Sequence, residues 1–149
     1  MLGSIGLQTK HHHPGEKPMA PSELYKKGEA MRRKLRGDAE FEKNKAQYES
    51  DPMMKKFIDV ATETIFGALW SRPGIDIKTR TLICVVSDAT MGRHEELDIH
   101  LRFALKEGWT EDELTEVLLH LLGYIGAPLV REAMLCAKKV FAEERKKKG

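Results

Sequence analysis

From Ser50 to Phe141 the apolar residues of this chain return every three or four positions, and a glycine, a proline or a capping residue marks the ends of the runs. That period is what a helix needs to bury one face, so the stretch reads as a succession of short amphipathic helices. Ser50 or Asp51 caps the first, and Pro52 fills its opening turn, where a missing N–H costs nothing. Met54, Phe57, Ile58, Ala61, Ile65 and Leu69 follow at helical spacing until Trp70-Ser71-Arg72-Pro73-Gly74 stops the run. Asp76 caps the next segment. Its stretch Ile83 to Val86 suits a buried strand as well as a buried helix, and periodicity does not decide between them. The lack of a turn signal from Asp76 to Met91, and of a partner for a lone strand, favours helix.

A further helix runs from about Arg93 to Glu107, with Leu97, Leu101, Ala104 and Leu105 on one stripe and Gly108 as its stop. Thr110-Glu111-Asp112-Glu113 is a capping box that opens another along Leu114, Val117, Leu118, Leu121, Leu122 and Ile125. Gly126-Ala127-Pro128 breaks that helix and begins the last, through Val130, Ala133, Ala137, Val140 and Phe141. Upstream, a charged helix-prone segment starts near Ser22, weakened by Gly28 and broken at Gly37-Asp38. The expectation is one all-α domain of five to six helices over residues 22–145, with no internal repeat. A leader, residues 1–21, precedes it and reads as linker or vector sequence around His11-His12-His13. A solvated basic tail, residues 146–149, follows.

Charge and cysteines narrow the function classes. Lysine and arginine number 25 against 23 acidic residues, a balance that points away from nucleic acid as a partner. No apolar stretch approaches the roughly 18 residues of a membrane helix, so no membrane span is expected. Cys84 and Cys136 lie far apart inside apolar runs and form no CxxC, which fits buried thiols in a reducing cytoplasm rather than a redox pair or a zinc knuckle.

Outside the leader the histidines are His94, His100 and His120. Glu96 and His100 stand four apart and share one side of their helix, as do His120 and Tyr124. A carboxylate beside an imidazole orients it and favours its charged form, which suits proton transfer near neutral pH. The same spacing is equally that of an ordinary surface contact, and the residues alone support an acid/base site without deciding it. No HExxH or HxH spacing occurs, so no metal site is expected.

Several blocks in order resemble one family. Trp70-Ser71-Arg72-Pro73-Gly74-Ile75-Asp76 with Thr79-Arg80, then Glu95-Glu96-Leu97 with His100, Ala104 and Gly108, then Leu118-Leu119-His120 with Tyr124, Gly126 and Pro128, are similar to the motifs of carboxymuconolactone decarboxylases. Tyr25, Gly28, Arg32-Arg33 and Gly37-Asp38-Ala39 echo the opening of that family, so the likeness covers roughly residues 24–142. Arg36, Leu122-Gly123 and Leu129-Val130-Arg131 depart from its pattern. Where the related alkylhydroperoxidase branch has its paired cysteines ahead of the histidine, this chain has Arg93 and Glu96, which excludes thiol peroxidase chemistry.

The resemblance implies an alkylhydroperoxidase-D-like helical fold and a cytoplasmic homo-oligomer, a trimer or hexamer. The implied activity is cofactor-independent decarboxylation of 4-carboxymuconolactone to the β-ketoadipate enol-lactone in protocatechuate catabolism. In that reading His100 transfers the proton, Glu96 orients it, and His120 or Tyr124 donates a hydrogen bond to the oxyanion. Arg72 clamps a substrate carboxylate and Trp70 walls the pocket; a helix stop with interhelical packing is the other reading of the Trp70–Gly74 block. A related lyase or isomerase acting on another enolisable lactone or acid, and a non-catalytic homologue in an assembly, are the competing functions.

Overall fold

A computed structural model describes residues 20–149; the expected leader falls outside the described residues apart from its last two positions. Among the described residues there is no strand. The helices are α1 (Glu23–Arg36), α2 (Asp38–Glu49), α3 (Pro52–Ala61), α4 (Ile77–Met91), α5 (His94–Lys106), α6 (Glu111–His120), the single turn α7 (Leu122–Ile125) and α8 (Ala127–Lys148). A π-helical stretch, Thr62–Leu69, continues α3.

Local chemistry sets most of these limits. The Ser22 hydroxyl accepts from the Tyr25 N–H, the Asp51 carboxylate from Met53 and Met54, and the Asp76 carboxylate from Thr79, so three helix starts each have an otherwise unpaired N–H satisfied. The Thr110–Glu113 capping box is formed in both directions. Gly92 ends α4 in the left-handed conformation, φ 66°, a geometry that favours glycine.

The structure departs from the expected five to six helices. Residues 38–49 form α2, although only Phe41 of that segment is buried and no apolar stripe announces it. The helix expected to reach Ile125 instead ends at His120 and restarts as α7. The basic tail is exposed, yet through Lys148 it is the last turn of α8. Cations there complement the negative end of the helix dipole.

Two packed clusters hold the bundle. Leu97, Leu101, Leu114, Leu118, Val85 and Val140 anchor the larger, where α4, α5, α6 and α8 meet. The smaller joins Leu35 of α1, Trp70 and Phe103, with Met31, Phe66, Ile77, Cys84 and Ile99 against them. Arg102 ties α5 to α8 by donating to Asp98 on its own helix and to Glu143 and Glu144 on α8 at 2.8, 2.5 and 2.6 Å.

The backbones of α1 and the π stretch approach closely. A Cβ on Gly28 would fall 1.9 Å from the Thr62 carbonyl oxygen, and one on Gly67 would fall 2.1 Å from that of Leu24. Only glycines permit this contact. Arg32, 4% exposed, seals it by donating to Thr62 Oγ1 and to Asn44 Oδ1, both at 2.9 Å. This clamp fixes the smaller cluster against α4 and α5, and the candidate site borders that cluster.

Candidate active site

Arg80, Cys84 and Asp88 are spaced four apart on α4 and therefore share a stripe of that helix. α5 brings His100 against the last of them. His100 Nδ1 and Asp88 Oδ2 are 2.5 Å apart, and Asp88 is only 7% exposed. An Nδ1–H donated to Asp88 fixes the ring and leaves Nε2 as the nitrogen that exchanges protons with a ligand. The His100 ring also meets the edge of Phe103, with centroids 5.7 Å apart. Phe103 belongs to the smaller cluster, so packing as well as hydrogen bonding restrains the imidazole.

The carboxylate that holds His100 is thus Asp88, and not Glu96. Glu96 shares the helix with His100 but is exposed in the first turn of α5, and among the described residues it makes no hydrogen bond or ion pair to His100. Two residues on one helix face can both point outward, whereas Asp88 approaches from the neighbouring helix across a buried seam.

The other expected site residues are dispersed. Trp70 is 6% exposed and packs tilted against Phe66, so it walls the cluster that borders His100 and also closes the bundle. Arg72 is exposed, and its carbonyl accepts from Arg80 Nη2 at 2.8 Å. Arg80 is the better placed of the two arginines: it lies on the Asp88 stripe, and its Nε is buried with no hydrogen-bond partner among the described residues.

His120 and Tyr124 do pair, with ring centroids 5.2 Å apart, but both are exposed, Tyr124 by 75%. His120 lines a groove with Val86 of α4. Val86 and Asp88 are two residues apart, about 200° around the helix. His120 therefore lies across α4 from His100 and does not join it within one subunit.

Sequence reasoning missed Asp88, and met Arg80 only within a family block without giving it a role. The signal available was the spacing Arg80, Cys84, Asp88 on one stripe, obscured because this helix is apolar on several sides. Cys84, between them, is half-buried, and burial, with a smaller contribution from the Asp88 charge, pushes its thiol up to about 11. It stays protonated at neutral pH and is a poor nucleophile. Burial likewise raises Cys136, whose Sγ donates to the His94 carbonyl. Among the described residues no three His, Cys, Asp or Glu side chains cluster as metal ligands would, and no helix is long and apolar enough to cross a membrane.

Known proteins share much of this sequence. The carboxymuconolactone decarboxylase family matches residues 56–139, more than half of the chain and the part that carries Asp88 and His100. A 4-carboxymuconolactone decarboxylase of Acinetobacter baylyi is 32% identical over 125 residues, covering 84% of this chain and 92% of that protein. A nitrosuccinic acid decarboxylase, npaB, of Metarhizium robertsii is 33% identical over 116 residues, covering 78% and 80% respectively. On this agreement the chain belongs to the carboxymuconolactone decarboxylase family and is an enzyme of the decarboxylase kind.

Proposed function

We propose that this protein decarboxylates 4-carboxymuconolactone to the β-ketoadipate enol-lactone in the cytoplasm, without a cofactor, as a step of aromatic catabolism. The observation that carries this reading is the buried Asp88 holding His100 at 2.5 Å inside the region matched to the family. The substrate's carboxylate sits on the ring carbon beside the ring oxygen. Breaking its C–C bond releases CO2 and sends the electron pair through the ring double bond into the lactone carbonyl. The enolate that results needs a proton on the carbon α to that carbonyl. His100 in its charged form donates that proton from Nε2 while Asp88 holds Nδ1, and water restores the imidazolium. Arg80, joined by Arg72 where it can reach, holds the anionic substrate, because a guanidinium grips a carboxylate by two hydrogen bonds.

Following CO2 release and butenolide absorbance with purified protein and 4-carboxymuconolactone tests the reading; no turnover with that substrate overturns it. Nitrosuccinic acid belongs in the same assay, since the npaB relative matches at similar identity and a nitro group also accepts the electron pair left by CO2. Turnover of nitrosuccinic acid alone would keep the dyad's role and change the substrate. Activity that survives EDTA supports cofactor independence, and loss restored by zinc overturns it.

We also propose a homo-oligomer of three or six subunits. Phe57, Val60, Ile83, Leu119 and Leu122 are exposed apolar side chains that contact with further copies would cover. Sedimentation giving a monomer at micromolar concentration overturns that.

A further inference from the structure

A cavity with more cations than carboxylates adjoins Phe103, the ring that also meets His100. It has a volume of about 620 Å³ and opens between the end of α1, α2, α5 and the end of α8, within the size range of small-molecule sites. His100, Asp88 and Arg80 do not line it. Its cations are Arg36, Lys43, Arg102, Lys106, Lys147 and Lys148, against the carboxylates of Glu40, Asp98, Glu143 and Glu144. Three of those four carboxylates are already bound by Arg102, and Glu144 also takes Lys147. Lys106 donates to the Lys34 carbonyl, which leaves its charge unneutralised.

Arg36 is the sharpest case. Among the described residues its guanidinium has no ion pair and no hydrogen bond; it lies 5.4 Å from the centre of the Phe103 ring. Burial pushes it below its ordinary range, and the nearby Tyr48 and Glu40 oppose that shift without pairing with it. A half-buried cation without a counter-ion is costly, and a bound anion removes the cost. Leu35, Ile99 and Leu105 join Phe103 as an apolar wall beside it. Charge and wall together favour a ligand with an apolar body and more than one carboxylate over a bare inorganic ion.

We propose that this cavity is a second binding site, taking a small organic di- or tricarboxylate gripped by Arg36, with Lys43 and Lys106 as supporting cations. The site does not depend on the identity of the decarboxylation substrate. Isophthalate serves as probe, titrated calorimetrically into the wild-type protein at constant ionic strength, with benzoate and inorganic phosphate in parallel. Saturable isophthalate binding is expected, weakened at least about tenfold in Arg36→Met, the size of a lost hydrogen bond to a charged group. Arg36→Lys should retain part of it, and Arg80→Gln all of it. Melting curves without ligand check that each variant folds. No binding by wild type up to about 10 mM overturns the proposal. So does binding unchanged in Arg36→Met, or binding lost in Arg80→Gln, which would place the probe at the His100 site. Phosphate or benzoate bound as tightly as isophthalate overturns the ligand class.

Discussion

His100 and His120 sit on consecutive helices, each beside an aromatic ring, and only His100 has a ring nitrogen held by a buried carboxylate. Its Nδ1 is held by a carboxylate that is itself buried, and its ring abuts a packed Phe103. His120 is exposed, with an exposed Tyr124 for company in the groove it lines with Val86. Along the sequence the two look alike: each has a polar partner four residues away on its own helix. What separates them comes from outside the helix. A proton-transfer histidine needs one nitrogen committed and the other free, and a buried carboxylate on a second helix supplies that commitment without the competition from water that an exposed partner meets.

The most direct way to break this comparison is His100→Ala, expected to lower kcat by about 10²- to 10⁴-fold, the usual worth of a positioned acid or base. The fold should survive, since the ring is an edge contact rather than part of either packed cluster, and a melting curve checks this. Turnover within threefold of wild type would remove His100 from the chemistry. Asp88→Asn comes next, with a loss of roughly 10²-fold in kcat, because the amide can hold the ring but does not stabilise the imidazolium. If Asp88 acts only as packing, kcat would stay near wild type while the melting temperature fell. Arg80→Gln should raise KM by roughly ten- to a hundredfold with a smaller change in kcat, as expected when a charged hydrogen bond to bound substrate is lost. An unchanged KM would return the substrate carboxylate to Arg72.

Much of the fold can be read from the chain, for reasons that particular residues make plain. Asp76, the Thr110–Glu113 box and Gly108 act through contacts within four residues, so sequence spacing reports them directly. The helical reading of Ile83 to Val86 holds because α4 is uninterrupted from Ile77 to Met91. α2 was invisible because it buries little besides Phe41 and owes its order to neighbours: Arg32 reaches Asn44, Arg33 reaches Glu42, and Glu29 takes Lys45. The Gly28–Gly67 contact was equally hidden, since Gly28 reads locally as a weak point and becomes a requirement only when another backbone lies against it. The site shows the same limit. Type and spacing made His100 a candidate and the family block gave it a role, but the carboxylate against it stands twelve residues earlier on another helix, and the same-helix rule selected Glu96 instead.

His120→Ala should leave kcat and KM within about threefold of wild type, because its side chain lies across α4 from Asp88 and has no buried partner. A tenfold or larger loss would sharpen the comparison in an unexpected direction: His120 would then have to reach the His100 site of another copy, and mixing His120→Ala with His100→Ala subunits should restore activity.

Glu96→Gln carries the smallest expected effect and separates the two candidate carboxylates most cleanly. The Glu96 side chain is exposed in the first turn of α5, where a negative charge favours the helix N-terminus by about 0.3–1 kcal/mol. Losing that charge should lower the melting temperature slightly and leave turnover within about twofold, a change at the level expected of surface substitutions. The glutamine keeps the side chain's size, so any loss of rate would report charge rather than packing. Asp88→Asn is the matched comparison, since it makes the same chemical change on the buried partner. A Glu96→Gln enzyme that loses tenfold in kcat while Asp88→Asn loses little would reverse the assignment, because the exposed carboxylate would then have to fold over His100 when substrate binds.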